Sequence, residues 1–315
     1  METDMDTPAL ALARQRAADN LPERLTWGPV TLSVTNLDRA RAFWTEVMGF
    51  VQRPDEGPGL ALGTADRTLV VLAPGATSPV ARCHSGLYHV AFRMPSQAEF
   101  SRRMWRFYQL QVPVSPVDHL MSKALYLDDP DGHGIEIALE TPERFGRFTT
   151  EDGRFAMRDA EGRPHGGREP LDIRAELAQA DDTDPALPLH SDATVAHLHL
   201  HVPALDASLR WFEGIGFARN LHMPDFGLAD MGTGAPYTHR LAMNLWAGPG
   251  ARPAPEPSAR LLSYRLETTD PETFAAARSR LTEIPGSGVL TGTDPAGITV
   301  TLALRTNTRN KDQAA

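Results

Sequence analysis

Three of the chain's 11 histidines stand at every second position in the stretch AHLHLHVPAL: His197, His199 and His201. Extended backbone sends alternate side chains to the same face, so the three imidazoles share one. Neutral imidazole is a metal ligand, and its pKa near neutrality also suits it to acid/base work. Such a face is either the inside of a site or a wall open to water. The single cysteine, Cys83, excludes an internal disulfide and a cysteine-rich zinc site. His84 beside it completes no nucleophile arrangement, and Cys83 is read as a plain buried thiol.

Bulk composition narrows the class of partner. The 315 residues carry 40 acidic against 31 basic side chains, a formal charge of −9. No run of Lys/Arg marks a nucleic-acid or membrane surface, so the expected partner is a small molecule. No apolar run reaches the roughly 18 residues of a membrane span, and no basic-then-apolar leader opens the chain. A cytoplasmic protein is expected, with homo-oligomer formation left open.

The elements that must position these residues follow from periodicity. In VTLSVTNLDRARAFWTEVMGF, Val30, Leu32 and Val34 alternate as a strand and Asn36 is placed to cap a helix. Leu37, Ala40, Phe43, Trp44 and Val47 repeat at helical spacing, and Gly49 ends the run. The pattern recurs: Val202, Leu205, Trp211, Phe212, Gly216 and Phe217 match Val34, Leu37, Phe43, Trp44, Gly49 and Phe50, with one residue fewer in the second helix. Weaker copies are YHVAFRMPSQAEFSRRMWRFYQL and LLSYRLETTDPETFAAARSRL. Each helix is trailed by short apolar runs ended by Gly/Pro turns, such as RTLVVLAP and GITVTLAL. Four βαβββ modules are therefore expected. Residues 1–26 form an N-terminal helical arm, 27–142 and 194–305 each hold two modules, 143–193 form a polar strap with a short helix at PLDIRAELAQA, and 306–315 are a tail.

Paired modules with VTLSVTNLDRARAFWTEVMGF, GLYHVAFRMPS and DHLMSKALYLDDPDGHGIEI resemble the vicinal oxygen chelate (glyoxalase/bleomycin resistance/dioxygenase) superfamily, and within it the two-domain type I extradiol (catechol 2,3-) dioxygenases. The strap and HLHLHV…YTHRLAMNLWAGPGA resemble the same subgroup. The resemblance implies an α+β fold. Its four modules would pair into two curved, open, eight-stranded cup-like barrels with helices outside, one cup from 27–142 and one from 194–305.

It also implies a chemistry: two histidines and a carboxylate on one face of Fe(II) or Mn(II), leaving positions for an aromatic diol and oxygen. In the first cup the second histidine matches His89 and the carboxylate matches Glu136, but the first histidine is replaced by Pro29. In the second cup His197 matches the first histidine, while Leu261 and Thr301 fall at the other two positions, and His239 on the neighbouring strand is a candidate to face His197. The expected site is therefore an incomplete one in the first cup, with His89 and Glu136 as metal ligands and the metal weakly held or absent. The DH…S…YL run is matched by Asp118, His119, Ser122 and Tyr126, which gives His119 and Tyr126 as catalytic acid/base groups. His133 is read as a turn residue. The function expected is a ring-cleaving dioxygenase acting on an aromatic diol or quinone-like molecule. The alternatives are a cup enzyme of other chemistry (isomerase, lyase or hydrolase, with or without metal) and a non-catalytic binder of aromatic ligands. Which of the histidines in HLHLHV belong to a site stays open at this point.

Overall fold

A computed structural model describes residues 2–54, 57, 59–151 and 154–305, so the tail 306–315 lies outside the described residues. Four βαβββ modules are present, and in each the first strand runs parallel to the last. Thr26–Val34 pairs with Thr68–Pro74, Gly86–Arg93 with Gly134–Glu140, Thr194–His201 with Leu241–Asn244, and Leu261–Thr268 with Thr299–Leu304. A parallel pair needs a crossover, and the helix after each first strand begins that connection.

The first helix shows how sequence dictates local structure. The Asn36 side chain accepts from Arg39 N, which caps Leu37–Ala42. The next turn, Phe43–Val47, is a π-helix that buries Trp44. The matching helix Leu205–Glu213 is α throughout. A π turn absorbs one extra residue, and this is where the one-residue difference between the two copies goes. Gly49 then takes φ +77°, where a Cβ would meet the Arg103 guanidinium.

The modules do not pair in chain order. One sheet of nine strands joins the second module to the third, through antiparallel pairing of Gly86–Arg93 with Thr194–His201. A second sheet of eight strands joins the first to the fourth, through Thr26–Val34 and Leu261–Thr268. The expected cups from 27–142 and from 194–305 are thus corrected: each sheet takes four strands from each side of the strap, and Glu169–Pro170 of the strap adds the ninth to the larger one. Any first strand offers the same free edge to any other, so local pattern cannot choose the partner; burial between modules decides. Both sheets are open, and one continuous core spans them, with Leu32, Trp44, Phe92, Phe107, Leu200, Phe212 and Leu302 all buried.

The strap is more structured than its polarity suggests. Phe145–Glu151 and Arg154–Asp159 form a hairpin that pairs with Glu2–Met5 of the arm, making a four-stranded sheet with Pro164–His165. The sequence between the paired Glu151 and Arg154 is Asp-Gly, a strong hairpin signal that polar composition masked. A small apolar cluster of Leu120, Met121, Phe148, Met157 and Tyr237 lies between this sheet and the main one. The arm contributes the helix Pro8–Ala18, capped by Thr7, and the strap helix is Ile173–Leu177. Cys83 is exposed, not buried as expected, since it lies in the loop between the first and second modules, at φ +62°. Among the described residues no helix is long and apolar enough to cross a membrane.

Candidate metal centre and acid/base pocket

The junction between the second and third modules builds the site. Ala91 pairs with Glu136 on one side and with His197 on the other, so three strands place these residues on one rung. His89 lies two positions before Ala91 and faces the same way. Two β-bulges interrupt the antiparallel pair here. Ala196 is the extra residue between Val195↔Phe92 and His197↔Ala91, and Tyr88 is the extra one between His89↔His199 and Leu87↔Leu200. Bulges re-aim side chains, and these two lie beside the rung.

The outcome is a tight cluster. His89 Nε2 is 3.0 Å and His197 Nε2 3.3 Å from Glu136 Oε2, and the two Nε2 atoms are 3.3 Å apart. All three side chains are buried. Two imidazole nitrogens aimed at each other across a carboxylate oxygen form a nearly equilateral face of donors. Donors about 2.1 Å from a divalent ion at right angles stand about 3.0 Å apart, so the spacing suits one face of an octahedral metal. Among the described residues these three form a group able to hold a metal ion.

Charge states agree with that use. Burial pushes the His197 imidazole down to about 4, so it is neutral and free to ligate. Burial alone would raise the Glu136 carboxyl, but the two imidazoles beside it hold it well below the usual range, leaving an anionic oxygen. The His197 Nδ1 atom is buried without a hydrogen-bond partner.

Two further pairs line the cluster. His119 lies in a turn fixed by Leu120 at φ +67°, whose N–H donates to Asp118 Oδ1 (2.7 Å) and whose carbonyl accepts from Thr141 Oγ1 (2.7 Å). Strained backbone of this kind collects at functional sites. His119 Nδ1 donates to Gly167 O of the strap at 2.6 Å, which leaves Nε2 of the neutral ring to accept from the Tyr126 hydroxyl at 2.9 Å. Burial lowers the His119 pKa, and burial together with Glu136 raises Tyr126 well above 10, so the pair is a neutral base and a protonated phenol. Tyr126 pairs across the strands with Glu136, and its ring centroid is 5.4 Å from that of His89. Opposite, the His239 ring is 4.9 Å from the His197 ring and its Nδ1 is 2.6 Å from Asp230 Oδ2. Burial would lower the His239 pKa, but Asp230 outweighs it and raises it. Tyr237 is buried nearby, donating to Ser122 and lying under the Arg240 guanidinium, which ion-pairs with Glu140 and Glu23.

All four residues expected from the sequence, His89, His119, Tyr126 and Glu136, stand in one place. The expectation of an incomplete site is corrected. Pro29 lies on Thr26–Val34 in the other sheet, and His197, its counterpart in the repeat, supplies the third donor because the second and third modules are partners. Leu261 and Thr301 are core and sheet positions paired with Leu32 and Arg265. His199 and His201 do share the cup face, tied together by Asn244, which donates to His199 Nε2 (2.9 Å) and accepts from His201 Nδ1 (2.6 Å). Sequence reasoning missed Asp230, Tyr237, Asn244 and Tyr88, for which no local pattern signals a role. His133, read as a turn residue, is buried in its turn with Nδ1 2.9 Å from Asp129.

Comparison with known proteins agrees with the fold. The glyoxalase/bleomycin resistance protein/dioxygenase superfamily model matches residues 26–137. The catechol-2,3-dioxygenase of Bacillus subtilis (strain 168) is 31% identical over 247 residues, 76% of this chain and 81% of that protein. Among solved structures, a putative dioxygenase from Bacillus subtilis subsp. subtilis str. 168 superposes with a TM-score of 0.56 at 13% identity, over 90% of this chain and 86% of the other. A mutant of glyoxalase I from Zea mays does so with a TM-score of 0.52 at 15% identity, over 89% and 94%. The chain belongs to the glyoxalase/bleomycin resistance/dioxygenase (vicinal oxygen chelate) superfamily. Within it, the chain is a homologue of a catechol-2,3-dioxygenase.

Proposed function

We propose that the protein is a ring-cleaving dioxygenase of the extradiol type, acting on an aromatic diol at a divalent metal, Fe(II) or Mn(II), held by His89, His197 and Glu136. The observation that carries this reading is the facial cluster of two imidazoles and one carboxylate, flanked by the His119–Tyr126 pair on one side and the His239–Asp230 pair on the other. Likeness to a protein named catechol-2,3-dioxygenase supports it. When bound, the metal supplies a Lewis acid and open positions at which diol and oxygen meet.

The chain's own residues manage protons around it. His119, with Nδ1 held by Gly167, presents Nε2 to take the proton of a diol hydroxyl. Tyr126, protonated at all ordinary pH, donates a hydrogen bond to the resulting oxygen anion. His239, kept basic by Asp230, holds a proton on the opposite side and stabilises negative charge that develops there. Burial of the cluster excludes water from the reacting face.

The test is oxygen uptake with catechol by protein stripped of metal and reloaded with Fe(II) or Mn(II). Uptake matched one to one by ring-opened product, and lost in His197→Ala, is the expected result. Product without oxygen consumption would replace this reading with a lyase or isomerase chemistry. Stoichiometric diol binding without turnover would replace it with a binder.

A further inference from the structure

Beyond the metal cluster, a string of packed rings runs outward to solvent. Exposure rises along it, from His197 (1%), through His89 and His199 (6% each), to Tyr88 (41%) and Trp246 (53%). The Tyr88 ring centroid is 5.1 Å from that of His89, 4.8 Å from His199, 5.1 Å from His201 and 5.3 Å from Trp246. Trp246 is also 5.5 Å from His199, and its indole N–H donates to Phe226 O at 3.0 Å, which fixes the ring plane. Tyr88 reaches this position because it is the bulged residue of its strand, turned toward the same face as His89. In regular pairing, alternation would send it to the opposite face.

Two large, exposed aromatic rings packed on each other and against one site stand out on a surface where apolar side chains are usually scattered. The polar groups of the string satisfy one another, since Asn244 joins His199 to His201. A surface of packed rings, continuous with a metal ligand at one end and open at the other, suits a flat, apolar group.

We infer that Tyr88 and Trp246, backed by His199 and His201, form a subsite for the non-reacting part of the substrate, and that the substrate is a diol carrying a planar aromatic substituent. The inference rests on the ring-cleavage reading, which places a diol at His89, His197 and Glu136. Offset or edge-to-face stacking on Tyr88 and Trp246 then adds to the area the substituent buries.

The test is calorimetric titration, without oxygen, of the full chain loaded with Zn(II), using catechol and 4-phenylcatechol. The parent is expected to bind 4-phenylcatechol about 10- to 100-fold more tightly than catechol. In Tyr88→Ala and in Trp246→Ala this ratio is expected to fall to within about threefold, and in Tyr88→Phe to be kept. Both residues are substantially exposed, so melting curves should show the variants folded. A parental ratio near one with catechol binding, or a ratio that survives both alanine changes, overturns the subsite alone. Failure of the parent to bind either diol overturns the ring-cleavage reading, and the subsite with it.

Discussion

Pro29 and His197 hold the same place in two copies of one pattern, yet only His197 stands among the donors. Proline lacks a ligating atom, and it lies on Thr26–Val34 in the other sheet from the donor group found among the described residues, His89, Glu136 and His197. Pro29→His should therefore leave metal stoichiometry unchanged. His197→Ala should reduce it severely, read by elemental analysis after dialysis against Fe(II) or Zn(II). Equal effects from the two changes would refute the cross-module site. Asp230 acts on chemistry through His239, and its own contacts extend to Asn220 and from there to Thr7 of the arm. Asp230→Asn is expected to cost about 10- to 100-fold in kcat with a smaller change in KM, since it leaves the three donors in place. An unchanged kcat would show that His239 does not need its carboxylate. His89, Glu136, His119 and Tyr126 were legible because the second module carries them in one contiguous run. The third donor was legible only as one of three histidines, because alternation assigns them all to one face without ranking them. Tyr88 was hidden altogether, since nothing in GLYHV marks a bulge.

Helices, caps and turns were the most readable level, because their signals are local. The Asn36 cap and the buried Trp44 follow from residue spacing alone. The π turn was visible only as a mismatch in length between two copies. Its free carbonyls are met from outside: the Arg106 guanidinium donates to Thr45 O (3.4 Å), Glu46 O (2.5 Å) and Val47 O (2.7 Å), and also to Pro185 O and Leu187 O of the strap. Arg106→Met keeps the stem and removes these bonds. It should destabilise the protein by about 2–4 kcal/mol in denaturant melts, and a loss below about 0.5 kcal/mol would show the carbonyls to be satisfied otherwise. Turns differ in their titration as well. Asp129 is held below the ordinary range against its burial by His133 and two backbone N–H groups. Asp294, in the corresponding turn of the fourth module, has the Tyr264 hydroxyl at 3.0 Å instead, and burial pushes its pKa from 3.8 up to about 6. A raised carboxyl binds its proton more tightly folded than unfolded. Its contribution is therefore fully present below about pH 4, declines as pH rises to about 6, and stays lost above, a swing of about 3 kcal/mol at most. Asp294→Asn should flatten the stability profile between pH 4 and 6, and an unaltered slope in pH-dependent melts would contradict this.

At the scale of the whole molecule, the repeat established how many modules there are, but not which ones become neighbours. Strand edges of like pattern are interchangeable until side chains pack, and the partners here are the two inner modules and the two outer ones. The strap made this topology hard to foresee, because its polar composition conceals a hairpin that joins the arm behind His119.

That interleaving has a consequence for how the chain comes apart. Residues before the strap supply four strands of each sheet and residues after it another four, with Glu169–Pro170 of the strap as the ninth strand of the larger sheet, so neither segment owns a finished unit. The two segments are clasped like hands, and a cut in the strap would yield fragments that are each expected to be unfolded alone and to regain structure on mixing. Calorimetry of the intact chain should show a single transition. A metal ion added at the inner pair should raise the temperature at which the outer pair melts, because mass action on one half of a clasp is felt by the other. Two separable melting events, only one of them sensitive to the ion, would mean that the clasp opens in stages.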